Sequence, residues 1–147
     1  MSSCRLIVCE KTGRWAAALR RALQTPGEEV ISVRGFPQCW SAFTAAPASL
    51  AVVEVTADNL ERTSEFLVRA AEFPQARLAV IVSRELAAAE LLLREAGAAV
   101  VLTTLAQAPG LAQLFVRHQQ LAPAVQRTFQ ELVAERLPWP ALASAPA

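Results

Sequence analysis

Histidine is scarce in this sequence, and paired cysteines are missing from it. One histidine, His118, and three cysteines, Cys4, Cys9 and Cys39, occur in 147 residues. The cysteines are odd in number and form no CxxC pair, so the ligand spacing of a zinc site is missing. Buried, reduced thiols are the expectation. An excess of one charge is also missing. Lys and Arg number 14 and Asp and Glu 13, for a net charge of +1, which gives no reason to expect nucleic acid, an anionic membrane or an acidic substrate. Apolar runs are short and broken by Arg or Glu, so no membrane span is expected. The opening "MSSCRLIVCEKTG" has too short an apolar run, and no basic leader, for a signal peptide. A soluble, cytoplasmic protein is the expectation.

Several chemical signatures are absent as well. There is no GxxxxGK[ST] phosphate loop and no GxGxxG fingerprint, and Ser83 has no GxSxG elbow around it. No helix-turn-helix follows the last helix of the domain. His118 sits inside an amphipathic helix, on or near its apolar stripe, where a packed or surface role is expected and not that of a base. Neither a cofactor nor a metal is expected.

What is present is alternation. Hydrophobic residues make up 54% and charged residues 18%, which with this length describes one globular domain. "CRLIVCE" is a short apolar run ending in an acid. In "TGRWAAALRRALQ", Trp15, Ala18, Leu19, Ala22 and Leu23 share one helical face, with Arg14, Arg20, Arg21 and Gln24 opposite. Thr12 is placed to cap that helix, and "TPG" to stop it. "EEVISVRGF" alternates as a more exposed strand would. Pro37 opens a helix in which Trp40, Phe43 and Thr44 recur at helical spacing.

"SLAVVEVT" is continuously apolar apart from Glu54, as in a central parallel strand buried on both faces. Asp58 and Glu61 then predict a capping-box start for a helix that buries Leu60, Phe66, Leu67 and Ala70. "ARLAVIVS" is a second fully apolar strand. "RELAAAELLLREAG" is a helix ended by Gly97, "AAVVLTT" a fifth strand, and a further helix begins near Pro109. Five strands alternating with helices predict an α/β, flavodoxin-like three-layer sandwich with a parallel sheet in the order 2-1-3-4-5. An extra C-terminal helix is predicted beyond Pro123, which should break or kink the path. The domain is drawn over 1–122, a helical extension over 123–137 and a loosely ordered tail over 138–147. In this topology the functional crevice lies at the strand C-termini, where Glu10 and Glu54 fall.

Over roughly residues 4 to 122 the pattern resembles the receiver domains of bacterial response regulators. "LIVCEK" is similar to the first strand of that family, which ends in adjacent acids that hold magnesium. "LAVVEV" is similar to the third, whose terminal aspartate accepts a phosphoryl group. "LAVIVS" is similar to the fourth, which ends in a hydroxyl residue, and "GAAVVLTTL" to the segment that carries a lysine followed by proline. Carried over position by position, Cys9 stands at the first acid and Glu10 at the second. Glu54 stands at the phosphoacceptor, Ser83 keeps the hydroxyl, and Thr104 and Leu105 replace the lysine and the proline. The resemblance thus implies a degenerate receiver, a pseudo-receiver, of the two-component signalling type.

These departures have chemical consequences. Magnesium takes hard oxygen ligands, and a thiol at Cys9 is a poor one, although Glu10 and Glu54 supply two carboxylates. Glutamate carries its carboxylate farther than aspartate by roughly 1.5 Å. In-line phosphoryl transfer depends on position and on charge neutralisation, and the neutralising lysine is gone. Glu54 itself has two readings: a standing substitute for a phosphorylated aspartate, or a solvated strand-end acid.

Beyond the fifth helix, Val125, Phe129, Leu132 and Val133 continue an apolar stripe that includes Leu111, Leu114, His118 and Leu121. That surface either folds back on its own domain or meets a protein partner, a second copy included. The expectation is a non-catalytic, receiver-like interaction module in signalling or assembly. The alternatives are an atypical phosphoacceptor or metal-assisted site on Glu10 and Glu54, and a small-ligand sensor in the strand-end crevice.

Overall fold

A computed structural model of the chain describes residues 4–24 and 30–125, with side chains through 121. The apolar runs become five strands: β1 (Leu6–Cys9), β2 (Val30–Val33), β3 (Leu50–Val55), β4 (Arg77–Val82) and β5 (Val100–Leu102). Between and after them lie α1 (Arg14–Leu23), α2 (Phe36–Ala45), α3 (Leu60–Ala70), α4 (Glu90–Ala96) and α5 (Ala108–Val125). All strand pairs are parallel and the order is β2-β1-β3-β4-β5. This is the flavodoxin-like arrangement, with α1 and α5 on one face and α2, α3 and α4 on the other.

Strand alternation divides the core in two. Leu6, Val8, Leu50, Val52, Ala79 and Ile81 pack with Trp15, Leu19, Leu111 and Phe115 of α1 and α5. Ile7, Cys9, Ala51, Val53, Val55, Val80 and Val82 pack with Cys39, Phe43, Phe66, Leu67 and Leu93 of α2, α3 and α4. The period of two in each strand fixes this assignment, because a one-residue shift would exchange the faces. β2 and β5 are the edge strands, and β2 exposes Ser32.

Local structure departs from the sequence reading in several places. Thr12 precedes the N-cap, but its Oγ1 does accept the N–H of Arg14, the first residue of α1, at 3.5 Å. The N-cap is Gly13 at φ 80°, and the carboxylate of Glu10 takes the Trp15 amide. Asn59, not Asp58, is the residue before α3, because its amide side chain closes the turn that leaves β3. Thr44 is exposed, and Cys39 fills the buried position beside Phe43. The fourth helix is preceded by a 3-10 stretch, Arg84–Ala89, so only Glu90–Ala96 is α-helical. Gly97 ends it as expected, at φ 131°. α5 continues past Pro123 to Val125, so the chain does not leave the helix at the proline. The side chain of Val125 and the residues Phe129, Leu132 and Val133 lie outside the described part, as does the "TPG" stop.

Candidate functional site

The site is assembled at the C-terminal rim of the sheet, beside the point where the chain reverses direction between β1 and β3. Cys9 pairs with Val53 and Glu54 with Ile81 across the central strands. The residue after β1, Glu10, therefore comes level with Glu54. Glu10 is 3% exposed, and it is turned toward the start of α1. Its two oxygens accept the Trp15 backbone N–H at 2.8 and 3.1 Å. Burial pushes its carboxyl above the ordinary range, the Trp15 amide pulls the other way, and the charge of Glu54 adds to the rise.

Cys9 points to the opposite side of the sheet. It is 6% exposed and belongs to the core beneath α2 and α3. A thiol hydrogen bond from Cys39 lowers its pKa, against burial and the charges of Glu54 and Glu10. The same bond, with burial, drives the Cys39 thiol up. The position to which the resemblance assigns the first metal acid is thus a core thiol with a thiol partner.

Glu54 and Ser83 do come together. They share a cleft of about 620 Å³ with Thr12, Arg14, Trp15, Thr56, Glu85 and Thr103. Ser83 is exposed at the end of β4, and its carbonyl accepts the Leu86 N–H at 3.0 Å. Asn59 fixes the loop that follows Glu54: its Oδ1 accepts the Thr56 N–H at 2.7 Å, and its Nδ2 donates to the Glu54 carbonyl at 2.9 Å. Thr104 caps the 3-10 turn Leu105–Gln107 in a capping box with Gln107. Gln107 Oε1 accepts the backbone N–H groups of Thr103 and Thr104 at 2.7 and 3.1 Å. Position 104 therefore serves a turn, not the cleft wall.

Helical spacing puts Arg14 on the solvent face of α1, yet it lines the cleft with Glu54. The signal for this lies in its place in the chain. The first residue of a helix that follows β1 necessarily sits over the strand ends. An arginine here is a permanent cation with five donors, but its wide, planar head does not reproduce a lysine's compact charge.

The donor set does not fit a resident magnesium ion. Both Glu10 oxygens are directed to a backbone amide, Cys9 is in the core, and Glu54 is left as the one carboxylate of the trio open to the cleft. Among the described residues, no three His, Cys, Asp or Glu side chains gather so that they could hold a metal ion. Among them too, no helix is long and apolar enough to cross a membrane. No protein-family model, curated protein or solved structure matches the chain.

Proposed function

We propose that this chain is a non-catalytic, receiver-like interaction domain, a pseudo-receiver that works in signalling or assembly through a preset conformation and without aspartate phosphorylation. One observation supports this above the others: Glu10, which in a working receiver would face a metal, instead closes the N-terminus of α1 with both oxygens. A receiver-like domain that keeps its fold while one of its acids closes a helix still has surfaces to offer. Apolar ones are present. Leu91 and Leu92 of α4 are 68% and 51% exposed, and Val68 of the neighbouring α3 is exposed with them. Clustered exposed leucines on a helix are the ordinary raw material of protein contacts.

The test has two arms. Incubation of the full chain with magnesium and a small phosphodonor is expected to leave the intact mass unchanged. A stable gain that disappears in Glu54→Gln would overturn the reading. Capture of a partner from native lysate should be lost in a Leu91→Asp, Leu92→Asp variant that still folds.

A second reading, a small-ligand sensor, draws on the cleft of about 620 Å³ in which Arg14 and Glu54 sit together. Thermal shift across nucleotides and metabolites discriminates it. A saturable shift that Arg14→Gln removes would favour it over protein contact.

A further inference from the structure

At the opposite end of the sheet α5 outruns the strands it packs on. Its 18 residues span roughly 27 Å, whereas the 3 residues of β5 cover roughly 10 Å. The first half of α5 is docked, with Leu111 and Phe115 buried. Farther along, the helix passes the N-terminal edge of the sheet, and on the side facing that edge Leu114 and Leu121 remain 41% and 65% exposed. Along that edge lies a cleft of about 480 Å³, floored by Leu50 and Val100 and walled by Leu114 and Leu121. That volume is within the range of about 300–1,000 Å³ typical of small-molecule sites.

The cleft's charged groups are of one sign. Arg77 and Arg117 line it, and among the described residues its lining includes no Asp or Glu. His118, also in the lining, is tied by Nε2 to the Ala48 carbonyl. A carbonyl only accepts, so Nε2 is the donor, and the ring is held as a fixed part of the wall. An apolar trough lined by two arginines, of which Arg77 also donates from Nη1 to the Ala76 carbonyl at 3.1 Å, matches a ligand with an apolar body and one anionic head. The arginines would hold a carboxylate by charge-assisted hydrogen bonds while the leucines cover the chain.

We infer that this cleft, at the sheet edge remote from Glu54, binds a medium-chain aliphatic carboxylate. The site is independent of the crevice at the strand C-termini, so the two proposals stand or fall separately.

Isothermal titration of the full chain with decanoate, decanol and decyltrimethylammonium, all below their micellar concentrations, tests it. Decanoate is expected to bind at one site, about tenfold tighter than decanol and more tightly still than the cation. Arg117→Gln should weaken decanoate several-fold and leave decanol unchanged, and Leu114→Asp should abolish both. Absence of saturable decanoate binding, equal binding of all three probes, or indifference to Leu114→Asp would each overturn the inference. Light scattering and hydrogen exchange on the same Leu114→Asp protein cover the other occupants. A dimer that this substitution dissolves would give the cleft to a second copy. A change in exchange confined to residues 126–147 would give it to the chain's own C-terminal segment. Either result would overturn the carboxylate assignment.

Discussion

Both oxygens of Glu10 lie within hydrogen-bonding distance of one backbone nitrogen, that of Trp15, at 2.8 and 3.1 Å. A carboxylate at a helix N-terminus satisfies an amide that no carbonyl can reach and sits at the positive end of the helix dipole. Removing it in Glu10→Ala is expected to cost about 1 kcal/mol. Glu10→Gln keeps an acceptor and removes the charge, so it separates the cap from the ionisation.

The pH dependence has a definite sign. Burial raises the carboxyl of Glu10 above its ordinary value of 4.5 in the folded chain. The folded state therefore holds this proton more tightly than the unfolded state. The resulting stabilisation is complete below the ordinary value and is lost as pH rises through the raised one. Urea unfolding at pH 4 and pH 7 should show Glu10→Gln gaining on the wild type as pH increases. A constant difference between the two proteins would remove burial of the charge as the cause.

Cys9 stands where the resemblance assigns the first metal acid, and an acid placed there should fail. Its side chain is in the core under α2 and α3, against Cys39, on the other side of the sheet from Glu10. Cys9→Asp would bury a carboxylate with a thiol for company, and an uncompensated buried charge costs about 3 kcal/mol or more. Denaturant midpoints are expected to fall sharply, with no recovery on adding magnesium. A variant of parental stability that magnesium stabilises would show that the side chain can reach the rim.

The turn after β3 is closed by a backbone bond from the Asn59 N–H to the Thr56 carbonyl and by two bonds of the Asn59 side chain. Asn59 uses its oxygen for the Thr56 amide and its nitrogen for the Glu54 carbonyl. Asn59→Ala removes both bonds and is expected to destabilise by about 1–2 kcal/mol. Asn59→Asp keeps the acceptor but sets an oxygen against the Glu54 carbonyl, and should recover only part of the loss. Amide exchange at Thr56 reads this directly, and exchange unchanged in Asn59→Ala would mean that the turn is held by something else.

The contrast between sequence expectation and structure has a physical pattern. Strand order and layering were legible because "LAVVEV" and "LAVIVS" can be buried on both faces, whereas "VISV" interrupts its apolar run with Ser32 and belongs at an edge. Helix stripes followed from the 3.6 period, as with Trp15 and Leu19. The choice of cap did not follow. Thr12 lends its Oγ1 to the Arg14 N–H, but the N-cap itself is Gly13 at φ 80°, the Trp15 amide goes to Glu10, and the turn after β3 closes on Asn59 and not on Asp58. Such choices depend on where the chain enters a helix, which no local propensity specifies. The side of Cys9 was legible in principle: with Leu6 and Val8 on one face, Ile7 and Cys9 must take the other, and Glu10 must oppose Cys9.

If the crevice had merely lost its reactive residues, putting them back would restore its chemistry. Glu54→Asp with Thr104→Lys returns the acceptor and the cation to the positions that the resemblance assigns them. The structure predicts no gain. Glu10 stays directed at the Trp15 amide, so it does not join the new aspartate as a metal ligand at the rim. The metal that would neutralise the attack then has too few oxygen ligands. Thr104→Lys also breaks the capping box with Gln107, at a cost of about 1 kcal/mol. Intact mass after incubation with magnesium and a phosphodonor is expected to match that of the parent. An acid-stable, base-labile phosphoryl adduct on the double variant alone would show that Glu10 can leave α1, and the pseudo-receiver reading would then reduce to two reversible substitutions.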